Sequence, residues 1–110
     1  MQVIAVRTYP AAGEPGIEHA SVAITERGLT GDRPKKAPVS IVGADRADST
    51  RSNLVLSVST AEVVAMVGQV IQLGSVTMVL EGAAGSCPGL YAAVGQDGTL
   101  AVGDTVIVLD

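Results

Sequence analysis

The chain has almost no aromatic side chains with which to fill a core. It contains no Phe, no Trp and only two Tyr, Tyr9 and Tyr91, so its 47% apolar content falls to Val, Ala, Leu and Ile. Side chains of this kind pack well on a pleated surface, and thirteen glycines supply tight turns between strands. The expected fold is mostly β, a small barrel or sandwich. At 110 residues the chain fits one domain, 1–110, around one core.

The order of apolar and turn-forming residues refines this. Residues 2–7 suit a first strand, and the Gly-Pro-rich segment 11–16 a loop. Residues 17–25 alternate as a second strand, followed by a polar stretch over 26–38. Strands are expected at 39–42 and 53–56, with an irregular or single-turn segment over 43–52 between them. Ser59-Thr60-Ala61-Glu62 has the form of a capping box. It predicts one short helix from Thr60 to about Val67, ended by Gly68, with Val63, Val64, Met66 and Val67 on its buried face. Strands follow at 69–73, 76–81, 90–94, 99–102 and 105–109, with turns at Gly74-Ser75 and Asp97-Gly98 and a small-residue loop over 82–89. Seven to nine short strands and one helix point to a closed or nearly closed barrel.

Charge narrows the function. A net charge of −4 and the scarcity of aromatic platforms argue against a nucleic-acid binder. No apolar run approaches the roughly 20 residues of a membrane-spanning helix, and residues 1–7 lack the basic lead of a signal peptide. A single cysteine cannot form an internal disulfide and suits a reducing compartment, so a cytoplasmic location is expected. The cations are unevenly placed: six of the seven Lys and Arg fall between Arg27 and Arg51, and none follows. This segment is either a solvated loop or an electropositive wall for a small anion.

Two places carry candidate chemistry. Cys87 lies in a loop where Gly82, Gly85 and Gly89 allow close backbone approach to a ligand; the plainer reading is a small buried hydrophobe. In Gly28-Leu29-Thr30-Gly31-Asp32-Arg33, two glycines shape a turn that presents Asp32 and Arg33. Arg33, Lys35, Lys36 and Arg51 can donate to phosphate or carboxylate. His19 has no companion at metal-ligand spacing, no Cys/His cluster suits zinc, and neither a phosphate-loop motif nor a nucleophile elbow is present.

In order, these segments resemble the MOSC domain, named for the C-terminal part of molybdenum cofactor sulfurase. GLTGDR at 28–33 is similar to the family's Gly-Leu-x-Gly-Asp segment, and Arg51-Ser52-Asn53-Leu54-Val55 to its R-x-N-L-V. Gly68–Gly74 resembles its strand hairpin, Cys87 stands where it places a characteristic cysteine, and 97–106 resembles its closing G-x-[LIV]-x-x-G-D-x-V. The resemblance runs from Gly28 to Val106 and implies a small β-barrel-like fold with one short helix. It also implies the molybdenum cofactor, with Arg33, Lys35, Lys36, Arg51, Asp32 and Asn53 as cofactor-binding candidates and Cys87 as persulfide carrier or molybdenum ligand. A thiolate is both a strong nucleophile and a soft ligand.

The chain departs from the family in three ways. Arg33 and Pro34 stand where many relatives have a His, no helical insert is expected after Cys87, and no companion module is expected within these 110 residues. Three readings follow. The first is a cofactor-binding or sulfur-carrier protein, served by a cysteine desulfurase or other sulfur donor and a molybdoenzyme acceptor. The second is a molybdenum-dependent reductase of N-hydroxylated compounds, and the third a non-catalytic barrel with an inert Cys87. The minimal architecture is compatible with a homodimer.

Overall fold

Buried and exposed residues alternate along the strands as a two-residue period requires, for example Val22 and Ile24 inward between exposed Ser21, Ala23 and Thr25. A computed structural model of the protein describes residues 1–11, 13–33, 38–83 (of Ala83 the backbone only) and 89–109. Its strands are β1 (Val3–Thr8), β2 (Ile17–Glu18), β3 (Ser21–Thr25), β4 (Gly28–Leu29), β5 (Val39–Gly43), β6 (Leu54–Leu56), β7 (Val70–Leu73), β8 (Val76–Ala83), β9 (Leu90–Gln96), β10 (Gly98–Ala101) and β11 (Val106–Leu109). A 3-10 turn, Ala44–Arg46, and one α-helix, α1 (Thr60–Ala65), complete the order.

Eight strands form one sheet in the order β11-β7-β8-β9-β5-β6-β1-β2, and β10-β3-β4 form a second. All pairings are antiparallel except β5 with β6. The large sheet curls until its ends approach: Gln2 bridges Thr105, and Val106 N–H donates to the Met1 carbonyl at 2.8 Å. The fold is mostly β with one short helix, as the sequence predicts. Val22, Ile24, Leu29 and Leu100 of the small sheet share one apolar cluster with Val3, Val6, Ile41, Leu54, Ile71, Met78 and Leu80 of the large one. Each fully buried side chain of this size contributes roughly 1.5–3 kcal/mol, so aliphatic residues suffice without aromatic bulk. Among the described residues, no helix is long and apolar enough to cross a membrane.

The strand expected over 17–25 is two strands. His19 N–H bonds to Val6 O, while Ala20 O accepts from Val102 N–H, so the chain leaves β1 and joins β10 at this point. The polar stretch after it contains a further short strand, β4, whose Gly28 and Leu29 are buried against β3. Gly28 has φ +109° and lies against the Pro38 carbonyl, where a Cβ would collide. These two differences raise the nine segments read from sequence to eleven.

The helix begins where the capping box places it. Ser59 Oγ accepts from Glu62 N–H at 3.1 Å and donates to Glu62 Oε1 at 3.2 Å. A second fastening was not legible: Asp45 Oδ1 accepts from both the amide (2.7 Å) and hydroxyl (2.8 Å) of Thr60, and Thr60 Oγ1 accepts from Gly43 N–H at 3.0 Å. The Thr60 hydroxyl and amide hold the Asp45 carboxyl below its usual 3.8. This linkage turns Thr60 and Val63 inward, with Met66 half-buried behind them. Val64 and Val67, expected in the same buried face, are 39% and 51% exposed.

Candidate functional site

Two of the expected cations meet in a cleft of about 180 Å³ lined by Tyr9, Asp32, Arg33 and Arg51. Asp32 and Arg33 arrive on the turn after β4. Asp32 N–H donates to Leu29 O at 3.1 Å, and Gly31 takes φ +91°, the positive value that a type II turn needs at its third residue. The Gly-Leu-Thr-Gly-Asp segment thus forms the shaped turn that its glycines predict, with Asp32 and Arg33 adjacent at its end.

That turn is clamped to the end of β1. Asp32 Oδ1 accepts from Tyr9 N–H at 2.7 Å, and Arg33 N–H approaches Tyr9 O at 3.4 Å. Behind it lies Asn53, fully buried. Its Nδ2 donates to Asp32 Oδ2 at 3.2 Å and to Arg7 O at 3.1 Å. Its Oδ1 accepts from the amide (3.1 Å) and hydroxyl (3.2 Å) of Ser40, whose Oγ accepts from Asn53 N–H at 3.0 Å. Asn53 is among the residues the resemblance offers as a ligand contact. Here it stands one layer beneath the cleft and ties β1, β5 and the Asp32 turn together.

Arg51 closes the other side. Its guanidinium lies 4.4 Å from the centroid of the Tyr9 ring. Nη1 donates to Glu14 O at 2.7 Å and Nη2 to Ala11 O at 3.4 Å. Tyr9 is 8% exposed, with Gly16 pressed against its ring edge. The cation is therefore stacked and steered by two carbonyls, and no carboxylate among the described residues pairs with it. The side chain of Arg33 makes no hydrogen bond or ion pair with a described residue. Among the described residues, two guanidinium groups and one carboxylate line the cleft, a balance suited to a small anion.

Of the other sequence candidates, Lys35, Lys36 and Cys87 lie outside the described residues. Arg27 and Arg46 are exposed but do not line the cleft. Arg7 is committed elsewhere, to Glu18 Oε1 at 3.2 Å and to the Ala47 carbonyl. His19 is half-buried with Nε2 2.8 Å from Thr8 Oγ1. Sequence reasoning missed Tyr9 as a site residue, although its rarity as one of two aromatics marked it. The carbonyls of Ala11 and Glu14 carry no side-chain signal at all. No group of three His, Cys, Asp or Glu suited to a metal ion occurs among the described residues.

The fold has counterparts among solved structures. A crystal structure of a hypothetical protein matches with a TM-score of 0.80 at 13% identity, covering 100% of this chain and 67% of that one. YuaD from Bacillus subtilis matches at 0.78 and 11% identity, covering 96% and 93% of the two chains. YiiM from Escherichia coli, a MOSC-domain protein, matches at 0.71 and 13% identity, covering 100% and 70%. No protein-family model matches the chain, and no curated protein matches it in sequence. At these identities the likeness is one of fold: a mostly β, MOSC-like architecture.

Proposed function

We propose that the protein is a MOSC-type binding and sulfur-carrier domain for the molybdenum cofactor. The observation that supports this most is the convergence of Arg33 and Arg51 on one cleft in a MOSC-like fold. Their guanidinium groups suit the cofactor's pterin phosphate, to which each can donate two hydrogen bonds. Asp32, held by Tyr9 and Asn53, orients the approach. The cleft is smaller than the roughly 300–1,000 Å³ of a site that encloses a drug-sized ligand. The described residues thus fit the phosphate end, and Lys35 and Lys36, next to Arg33 in sequence, are proposed to extend the cationic wall.

Cys87 supplies the sulfur chemistry in this reading. Its thiolate attacks the outer sulfur of a persulfide-bearing donor, such as a cysteine desulfurase. The donor's S–S bond breaks, its own thiolate leaves with the electron pair, and Cys87 holds the sulfur as a persulfide for a molybdoenzyme acceptor. No net oxidation or reduction is required. When bound, the cofactor would supply a molybdenum centre for which the same thiolate is a soft ligand.

The test is retention of cofactor released from a molybdoenzyme, followed by gel filtration with pterin fluorescence and molybdenum as readouts. Co-elution with the protein, lost in Arg33→Ala/Arg51→Ala, is expected. A mass gain of one sulfur atom after treatment with a persulfide donor, absent in Cys87→Ser, is the companion result. A protein that retains no pterin and whose Cys87 reacts only after unfolding is the non-catalytic barrel, and the proposal falls.

A further inference from the structure

One row of side chains runs from the cleft across the outer face of the large sheet. Asn53, bonded to Asp32, is joined to Ser40 of β5 by hydrogen bonds of 3.0, 3.1 and 3.2 Å. Ser40 is paired with Tyr91 of β9, and Tyr91 with Glu81 of β8. Residues directly opposite in a sheet share a face, with Cβ atoms about 4.5–5.5 Å apart. Their neighbours Val39, Ile41, Leu80, Leu90 and Ala92 belong to the core, so alternation turns Ser40, Tyr91 and Glu81 away from it. From Asn53, just before β6, to Glu81 the row crosses three strand spacings, roughly 14 Å.

The far end of this row differs in chemistry from the cleft. The chain has two aromatic residues, and neither belongs to the aliphatic core cluster. Tyr9 holds the cleft, and Tyr91 is half-buried on the outer face. Glu81 beside it is exposed and is the one charged residue of β8. Neither side chain makes a hydrogen bond or ion pair with a described residue. An aromatic face next to a carboxylate, with no structural partner for either, suits a flat ring that presents N–H donors. The ring stacks on the first, and the second accepts two parallel bonds from its edge.

We infer that Tyr91 and Glu81 recognise the ring of the bound cofactor, Tyr91 by stacking on the pterin and Glu81 by accepting from its 2-amino group and adjacent ring N–H. These roles rest on the cofactor reading of the cleft. There Arg33 and Arg51 take the phosphate; here an acid takes the edge of the pterin that is rich in donors. The charges also fix the orientation, because Glu81 repels the phosphate and the two arginines repel the donor edge.

Three probes separate the two ends. Pyrophosphate has no ring and reads the cleft alone, by isothermal titration. Neopterin monophosphate carries ring and phosphate, and its lumazine counterpart replaces the 2-amino group by a carbonyl; both are followed by fluorescence. Wild type should prefer the neopterin compound by about tenfold, as one well-placed hydrogen-bonded pair allows. Glu81→Gln, whose amide can donate to the lumazine carbonyl, should abolish that preference. Tyr91→Leu should weaken both ring compounds about tenfold, within the range of stacking on an aromatic side chain. Glu81→Gln, at an exposed position, keeps the test decisive if Tyr91→Leu unsettles β9. Equal binding of the two ring compounds by wild type, or a preference that survives Glu81→Gln, overturns the assignment, while pyrophosphate binding lost in Arg33→Ala/Arg51→Ala leaves the cleft reading standing. A wild-type protein that binds neither pyrophosphate nor neopterin monophosphate overturns the cleft reading and this assignment with it.

Discussion

Arg51 lies 4.4 Å above the Tyr9 ring, although the two residues come from opposite sides of the cleft and from distant parts of the chain. The stack is the hinge of the candidate site. Tyr9 also gives its amide to Asp32 and its carbonyl to Arg33. One residue thus positions the acid, the second cation and the stacked cation together.

Removing Arg51 should therefore affect anion binding more than stability. Its ring contact is at an exposed position, where a cation–π pair contributes about 0.5–1 kcal/mol, and its bonds to the Glu14 and Ala11 carbonyls are exposed, so water replaces them at little cost. A hydrogen bond to a charged group contributes about 1.5–3 kcal/mol, so Arg51→Ala should weaken pyrophosphate binding about tenfold or more. Arg51→Lys, which keeps the charge but not the fork, should fall between. Isothermal titration beside a denaturant melt separates the two effects.

Gly16→Ala addresses the same stack from below. A Cβ at this position would lie 2.9 Å from Tyr9 Cδ1 and closer still to its neighbour in the ring. Tyr9 is buried beneath Arg51 and cannot swing away without releasing it. Overpacking of this kind costs about 1–3 kcal/mol. The expected outcome is a lowered denaturant midpoint together with weakened pyrophosphate binding.

Asn53→Ala should be the most destabilising single change near the cleft. It would strip one partner each from Asp32 Oδ2, the Arg7 carbonyl and the Ser40 amide at once, around a fully buried amide and in a part-buried setting. A buried group left unsatisfied costs about 1–3 kcal/mol, and with these groups only part-buried a loss of about 2–3 kcal/mol is expected in urea unfolding. A loss under about 1 kcal/mol would mean that water replaces the amide.

What the sequence made legible follows from where each signal resides. The capping box at Ser59 and the glycine turn before Asp32 are local devices, and both fold as read. The break at His19 is not local: Glu18 and His19 interrupt the alternation, but only the competing partners β1 and β10 show that the strand divides there. The helix face misled for a related reason. Val64 and Val67 are as apolar as Val63, but Asp45 holds Thr60, and that bond sets the rotation of the helix. At the site, Asp32 and Arg33 were legible from the glycine turn before them, and Arg51 as the last member of the cation cluster over 27–51. Arg51's placement depends on the carbonyls of Ala11 and Glu14, to which any residue type contributes equally.

The bond from Asp45 to Thr60 should appear in the acid limb of the stability curve. The folded-state carboxyl titrates below 3.8, chiefly because the Thr60 hydroxyl and then its amide favour the charged form. A depressed carboxyl stabilises the fold fully above the unfolded value, and the contribution disappears as pH falls through the lowered folded value. Asp45→Asn keeps an acceptor for Thr60 but removes the titration. The wild-type protein should then exceed Asp45→Asn in stability at neutral pH, and the difference should shrink as pH drops below 3.8. Thr60→Val, which deletes the hydroxyl and keeps the amide, should flatten the wild-type slope only in part. Urea unfolding at stepped pH values measures all three, and parallel curves for wild type and Asp45→Asn would show that the carboxylate charge does not fasten α1 to the 3-10 turn.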